Sequence, residues 1–285
     1  MIEILLFAAI VSVVYGFLFI LAGLLRVPLS ELGINENDTG IDSAFMLMSE
    51  TVLALGSVIG LLVVHKLSHK VFPYPTSCTG LSLKGHGREL WAGIGVAAGL
   101  YAAGFLLTLL FGGIAIAGIH FHGPALLQTW VFFFFVAIFE ESMCRGFLLG
   151  RMMDAGVNKF VALVLSSAIF SLLHLANPGF TALPFANLLL AGILLGSAYI
   201  YTRNLWFAIT LHWFWNWLQG PVLGFEVSGN SFGGSLLTLE TTDNVLLNGG
   251  PFGFEGSLVC TALMLVSILL IILHYERSKK RKPMY

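Results

Sequence analysis

Charge is scarce in this chain: Asp, Glu, Lys and Arg make up 10% of its 285 residues, where a soluble domain carries roughly a quarter. That shortage excludes an ordinary water-exposed globular domain. The net charge of −1 also leaves no basic excess with which to hold nucleic acid. Cysteine is scarce too. Cys78, Cys144 and Cys260 form an odd set without CxxC spacing, so neither a disulfide framework nor a zinc knuckle follows. A basic N-terminal region and a small-residue cleavage site are missing as well. Met1-Ile2-Glu3 opens directly on an apolar run that reaches Leu25, which reads as a retained helix rather than a secretory leader. No internal repeat or low-complexity tract is evident.

Apolar residues are abundant, at 57% of the chain with 24 Phe and a mean hydropathy of +0.90. A spanning helix takes about 20 apolar residues, so eight of them need roughly 160, which this composition supplies. Runs long enough to span lie near residues 2–25, 43–65, 91–118, 126–147, 160–175, 184–202, 204–220 and 257–274. They lack the alternation of barrel strands, and backbone groups in lipid must be satisfied within the segment. The expected fold class is therefore all-α: a polytopic membrane protein of about eight transmembrane helices, with six or seven as alternatives. It is read as one integral membrane domain over 1–285. Residues 1–125 hold the N-terminal helices, 126–220 a core of the fourth to seventh helices, 221–256 an outer glycine-rich loop, and 257–285 the last helix and a basic tail.

Cytoplasmic loops keep the excess of Lys and Arg. A cytoplasmic N-terminus puts every basic residue inside except Arg26, and places Glu31, Glu36, Asp38, Asp42, Glu226, Glu240 and Asp243 outside. Both termini are expected in the cytoplasm. The tail from Glu276 to Lys282 is either a plain topology determinant or a contact for anionic lipid heads.

Ionisable residues inside a bilayer are expensive and mark function by default. Glu140 and Glu141 follow Val131-Phe132-Phe133-Phe134-Phe135-Val136-Ala137-Ile138-Phe139. Arg145 is four residues beyond Glu141, the favourable order for pairing on one helix face, so Glu140, about 100° around the helix, keeps a free carboxylate. Phe170 and His174 are one turn apart, as are His212 and Asn216. At about 1.5 Å per residue, these groups lie between about 10 and about 21 Å from inner helix ends placed near 147, 160 and 204, compatible with one cytoplasm-facing cavity. A carboxylate, two imidazoles and an amide suit hydrolysis. Glu140 is placed to take a proton from water with His174 sharing it, and His212 and Asn216 to donate to an oxyanion. Alternatively, Glu140, His174 and His212 bind Zn²⁺, which would activate the water instead; spacing alone does not choose. Against these stand blander readings: His174 as a helix-packing hydrogen bonder, Glu141–Arg145 as a structural ion pair, Cys144 as a small packing residue, and His120 and His122 as a solvated loop pair.

The motifs Glu140-Glu141-x-x-x-Arg145, Phe170-x-x-x-His174 and His212-x-x-x-Asn216, in that order and each expected on a membrane helix, resemble those of the CAAX protease and bacteriocin-processing (Abi) family of intramembrane endopeptidases. The resemblance covers about 126–220. The segment from Gly249 to Ser257 also looks like one common in bacterial members. The resemblance implies proteolysis in a membrane cavity, with catalytic roles for Glu140, His174, His212 and Asn216 and supporting ones for Glu141 and Arg145. Members have been described both as metalloproteases and as metal-free glutamate enzymes, and the metal-free chemistry is the expectation here. The implied partner is a membrane-associated peptide or protein, with or without an attached lipid, and oligomeric state is not legible. Two readings from other classes remain: a proton- or cation-coupled transporter, and a non-catalytic membrane scaffold.

Overall fold

A computed structural model describes residue 55 and residues 80–281 apart from 233, with side chains described as far as residue 278. The spans expected near 2–25 and 43–65, most of the basic segment before 90, and the basic side chains of the tail from Lys279 onward lie outside the described residues.

In chain order the elements are α1 (Gly87–Leu110), β1 (Ile114–Ile119), α2 (Gly123–Glu141), a π-helical stretch Ser142–Leu149, α3 (Gly150–Asp154), α4 (Lys159–Leu172), α5 (Ala182–Thr202), α6 (Trp206–Trp217), a π-helical turn Leu218–Val222, β2 (Leu237–Thr241), α7 (Val245–Asn248), two 3₁₀ turns, and α8 (Leu258–Arg281). The protein is thus mostly helical. Among the described residues, four helices are long and apolar enough to cross a membrane: Gly87–Leu110, the continuous rod Gly123–Asp154, Ala182–Thr202 and Leu258–Ser278. The expected spans at 160–175 and 204–220 are shorter, because α4 stops at Leu172 and α6 gives way to a π turn at Leu218.

Two other boundaries differ from expectation. The run 91–118 is not one helix. Gly112, at φ +70, ends α1, and the isoleucine-rich Ile114–Ile119 extends and pairs antiparallel with Leu237–Thr241. β-branched residues after a glycine break favour the extended backbone, so hydropathy alone merged a helix with a strand. The rod containing Glu140 continues to Asp154 rather than ending near 147, which puts Glu140 about 21 Å from that end instead of about 10 Å.

Small residues bring the helices together. A Cβ on Gly93 would lie 2.2 Å from Thr210 Oγ1, so α1 and α6 cross almost backbone to backbone; one on Gly192 would meet Ser167 at 2.6 Å, where α5 crosses α4. The outward face of α4 is different: Val161, Val164, Leu165, Ile169 and Leu172 are exposed. α8 is fastened to α5 near both ends. Thr261 donates to Asn187 Oδ1 at 2.6 Å, and Glu276 accepts from both Lys159 and Tyr201.

Candidate active site

Two adjacent carboxylates at the end of α2 face different surroundings. The Glu141 side chain is fully buried. Its Oε1 accepts from Arg145 at 2.8 Å and from His212 Nδ1 at 2.8 Å. Arg145, equally buried, also donates to the Gly192 carbonyl at 3.2 Å and lies 4.4 Å above the Phe170 ring. A guanidinium so placed compensates a carboxylate that could not otherwise be buried ionised. Glu140 keeps 24% exposure and stands 3.9 Å from His212 Nε2. The helix widens to π geometry immediately after this pair, at Ser142, a distortion that recurs at functional sites.

His174 is not on a membrane helix as expected; it lies in the turn just past Leu172. Its Nδ1 is 2.9 Å from the Phe170 carbonyl. A carbonyl only accepts, so Nδ1 carries the proton and Nε2 keeps a lone pair. Phe170 links the three motifs, its ring centroid 4.9 Å from that of His174 and 6.0 Å from that of His212. His212 has the same preference: Nδ1 donates to Glu141, which turns Nε2 toward Glu140. Asn216, one turn along α6, is 6% exposed.

Glu140, His174, His212 and Asn216 all line one cavity of about 470 Å³. Its remaining wall is largely apolar and includes Phe132, Phe133, Met143 and Cys144. Glu141 and Arg145 stand behind this wall. Among the described residues no group of three His, Cys, Asp or Glu side chains is arranged to hold a metal ion.

Sequence reasoning missed residues on the opposite wall. Asn177, Ser228, Asn230 and Glu255 also line the cavity. Glu255 is 5% exposed and accepts from Trp215 Nε1 at 3.0 Å, Ser228 N at 2.9 Å and Ser228 Oγ at 2.7 Å. A single carboxylate beside Phe252, Phe254 and a run of glycines was the available signal, passed over because 221–256 was read only as an outer glycine-rich segment that re-enters the membrane or caps a cavity.

The cavity draws on 132–144 of the long rod, the C-terminal end of α4, the middle of α5 and the second half of α6. Arg151, Lys159 and Arg203 lie at the other end of these elements. Asn177, Val227, Ser228, Asn230 and Phe232 line the cavity away from that basic end.

No curated protein and no solved structure matches the chain. The family model described as Type II CAAX prenyl endopeptidase Rce1-like matches residues 122–218, a segment that runs from the start of α2 to the end of α6 and contains all three motifs, in keeping with the CAAX protease and bacteriocin-processing family.

Proposed function

We propose that the chain is an intramembrane endopeptidase that hydrolyses a peptide bond of a membrane-associated peptide or protein through a water activated by Glu140. The observation that carries this reading is the convergence of Glu140, His174, His212 and Asn216 on a single, mostly apolar cavity. Glu140 takes a proton from water as the oxygen attacks the carbonyl carbon. The lone pair on His174 Nε2 accepts the water's other hydrogen and aims the oxygen. Asn216 donates to the resulting oxyanion. With Nδ1 committed to Glu141, His212 Nε2 donates as well when the ring carries both protons. Glu140 then returns its proton to the leaving amine as the carbon–nitrogen bond breaks. Glu141 and Arg145 orient His212.

The match to a CAAX prenyl endopeptidase family supports a substrate at the membrane, and the apolar wall accepts greasy side chains or an attached lipid. For sidedness we keep the charge bias, which draws on residues throughout the chain, and with it a rim on the non-cytoplasmic face. Substrate then enters from that face or laterally from lipid.

The test is cleavage of a labelled peptide library by purified protein in detergent, comparing wild type with Glu140→Ala, each with and without a strong chelator. Cleavage that persists with chelator and disappears in the variant is expected. Loss of wild-type cleavage with chelator would move the chemistry to a metal. Cleavage by Glu140→Ala at the normal rate would remove Glu140 from the mechanism. No cleavage under any condition, joined by Glu140-dependent proton-coupled uptake in proteoliposomes, would favour a transporter.

A further inference from the structure

Glu255 is a buried carboxylate outside the three motifs, and no Lys, Arg or His among the described residues pairs with it. It is held from behind and reaches forward. Behind, Asn187 on α5 donates to the Glu255 carbonyl at 2.7 Å and to the Ser257 carbonyl at 2.9 Å. A Cβ on Gly256 would lie 2.4 Å from the Gly249 carbonyl oxygen, so the backbone here has little room to shift. In front, the carboxylate is shared among three elements. Oε1 takes the indole N–H of Trp215, which lies between His212 and Asn216 on α6. Oε2 takes both the backbone N–H and the hydroxyl of Ser228, in the segment that closes the cavity, and a longer bond of 3.4 Å from Gln219 Nε2 on the π turn after α6.

Ser228 sits at φ 49, a left-handed conformation unusual for a residue with a side chain. It persists where surrounding bonds over-determine it. The same residue binds the other flank of the cavity, because its carbonyl accepts from Asn177 at 2.9 Å, and Asn177 N donates to the His174 carbonyl at 3.0 Å. Next door, a Cβ on Gly229 would lie 2.0 Å from the Pro178 carbonyl oxygen. One chain of hydrogen bonds therefore runs from the α6 wall through Glu255 and Ser228 to the turn that carries His174.

We infer that Glu255 is a positioning residue that latches the segment 225–232 over the cavity and, through Ser228 and Asn177, fixes the turn bearing His174. The catalytic consequence rests on the endopeptidase reading; the latch itself does not. Opening it exposes the cavity, and closing it sets His174 relative to Glu140.

Cys144 lines this cavity and is 1% exposed, which makes it a native reporter independent of proteolysis. In the full chain carrying Cys78→Ala and Cys260→Ala, the rate of Cys144 alkylation by N-ethylmaleimide is measured in detergent, with a thermal melt confirming the fold of each variant. Glu255→Gln keeps a single acceptor oxygen and so gives up either the Trp215 bond or the Ser228 pair, and Ser228→Ala removes one of the Ser228 bonds. Each is expected to raise the alkylation rate by about tenfold, the change that accompanies loss of a hydrogen bond to a charged group. With a cleavable peptide, both lower kcat more than they change KM, because His174 is misplaced while the apolar wall remains. Unchanged alkylation in both folded variants overturns the inference. If Glu255→Gln does not fold, Ser228→Ala and Asn177→Ala decide it by the same reading. A latch response in a protein that cleaves nothing leaves the inference standing and removes the endopeptidase reading.

Discussion

At the scale of single residues, the site separates two carboxylates that are neighbours in sequence. Glu141 is spent on Arg145 and His212, while Glu140 is left to the cavity. Removing one member of a buried ion pair leaves the other uncompensated, so Arg145→Ala should destabilise the protein by about 3–5 kcal/mol, measured by thermal or denaturant unfolding in detergent. Glu141→Gln combined with Arg145→Met should recover much of that loss, since no charge is stranded, yet remain inactive because His212 has lost its carboxylate partner. Asn216→Ala belongs to the same scale. Loss of one preorganised oxyanion donor costs about 10²–10³ in kcat, and steady-state cleavage kinetics should show KM little changed. The motif residues could be read from sequence because an ionisable group in a run of phenylalanine is conspicuous. Asn177 and Ser228 could not, because a polar residue in a loop carries no such contrast until the loop is seen folding over a cavity.

At the scale of elements, and among the described residues, the expected membrane helices are found where the apolar run is long and lost where it is shared between conformations. α1, α5 and α8 were visible as long runs, and the rod from Gly123 to Asp154 was visible apart from its end. The strand Ile114–Ile119 was not, because its partner Leu237–Thr241 is more than a hundred residues away and hydropathy does not report pairing. Nor was the position of His174, one residue beyond where α4 hands over to a turn. Helix crossings give a prediction of their own. Gly192→Ala would press a methyl against Ser167 at 2.6 Å and move the carbonyl that Arg145 uses. It should cost about 1–3 kcal/mol from overpacking and reduce cleavage further than the stability loss explains, as a melt beside an activity assay would separate.

For the molecule as a whole, the proposed sidedness, a rim on the face opposite the basic end of the bundle, is open to a direct test. A single cysteine placed at Asn230, in a background without the native cysteines, should react with a membrane-impermeant maleimide added outside intact cells. Labelling only after lysis would invert the chain and put the rim in the cytoplasm. The short helix α4 carries a larger consequence. α4 has 14 residues, a rise of about 21 Å against a hydrocarbon core of about 30 Å, and its outward face is apolar and exposed. Lipid beside it must thin, or water must descend to the turn holding His174, and either response costs fractions of a kcal/mol per ångström of mismatch. Acyl-chain length then becomes a variable of the reaction: lengthening the lipids of a reconstituted bilayer should slow cleavage progressively, so that the membrane's thickness sets how fast the buried turn meets its water.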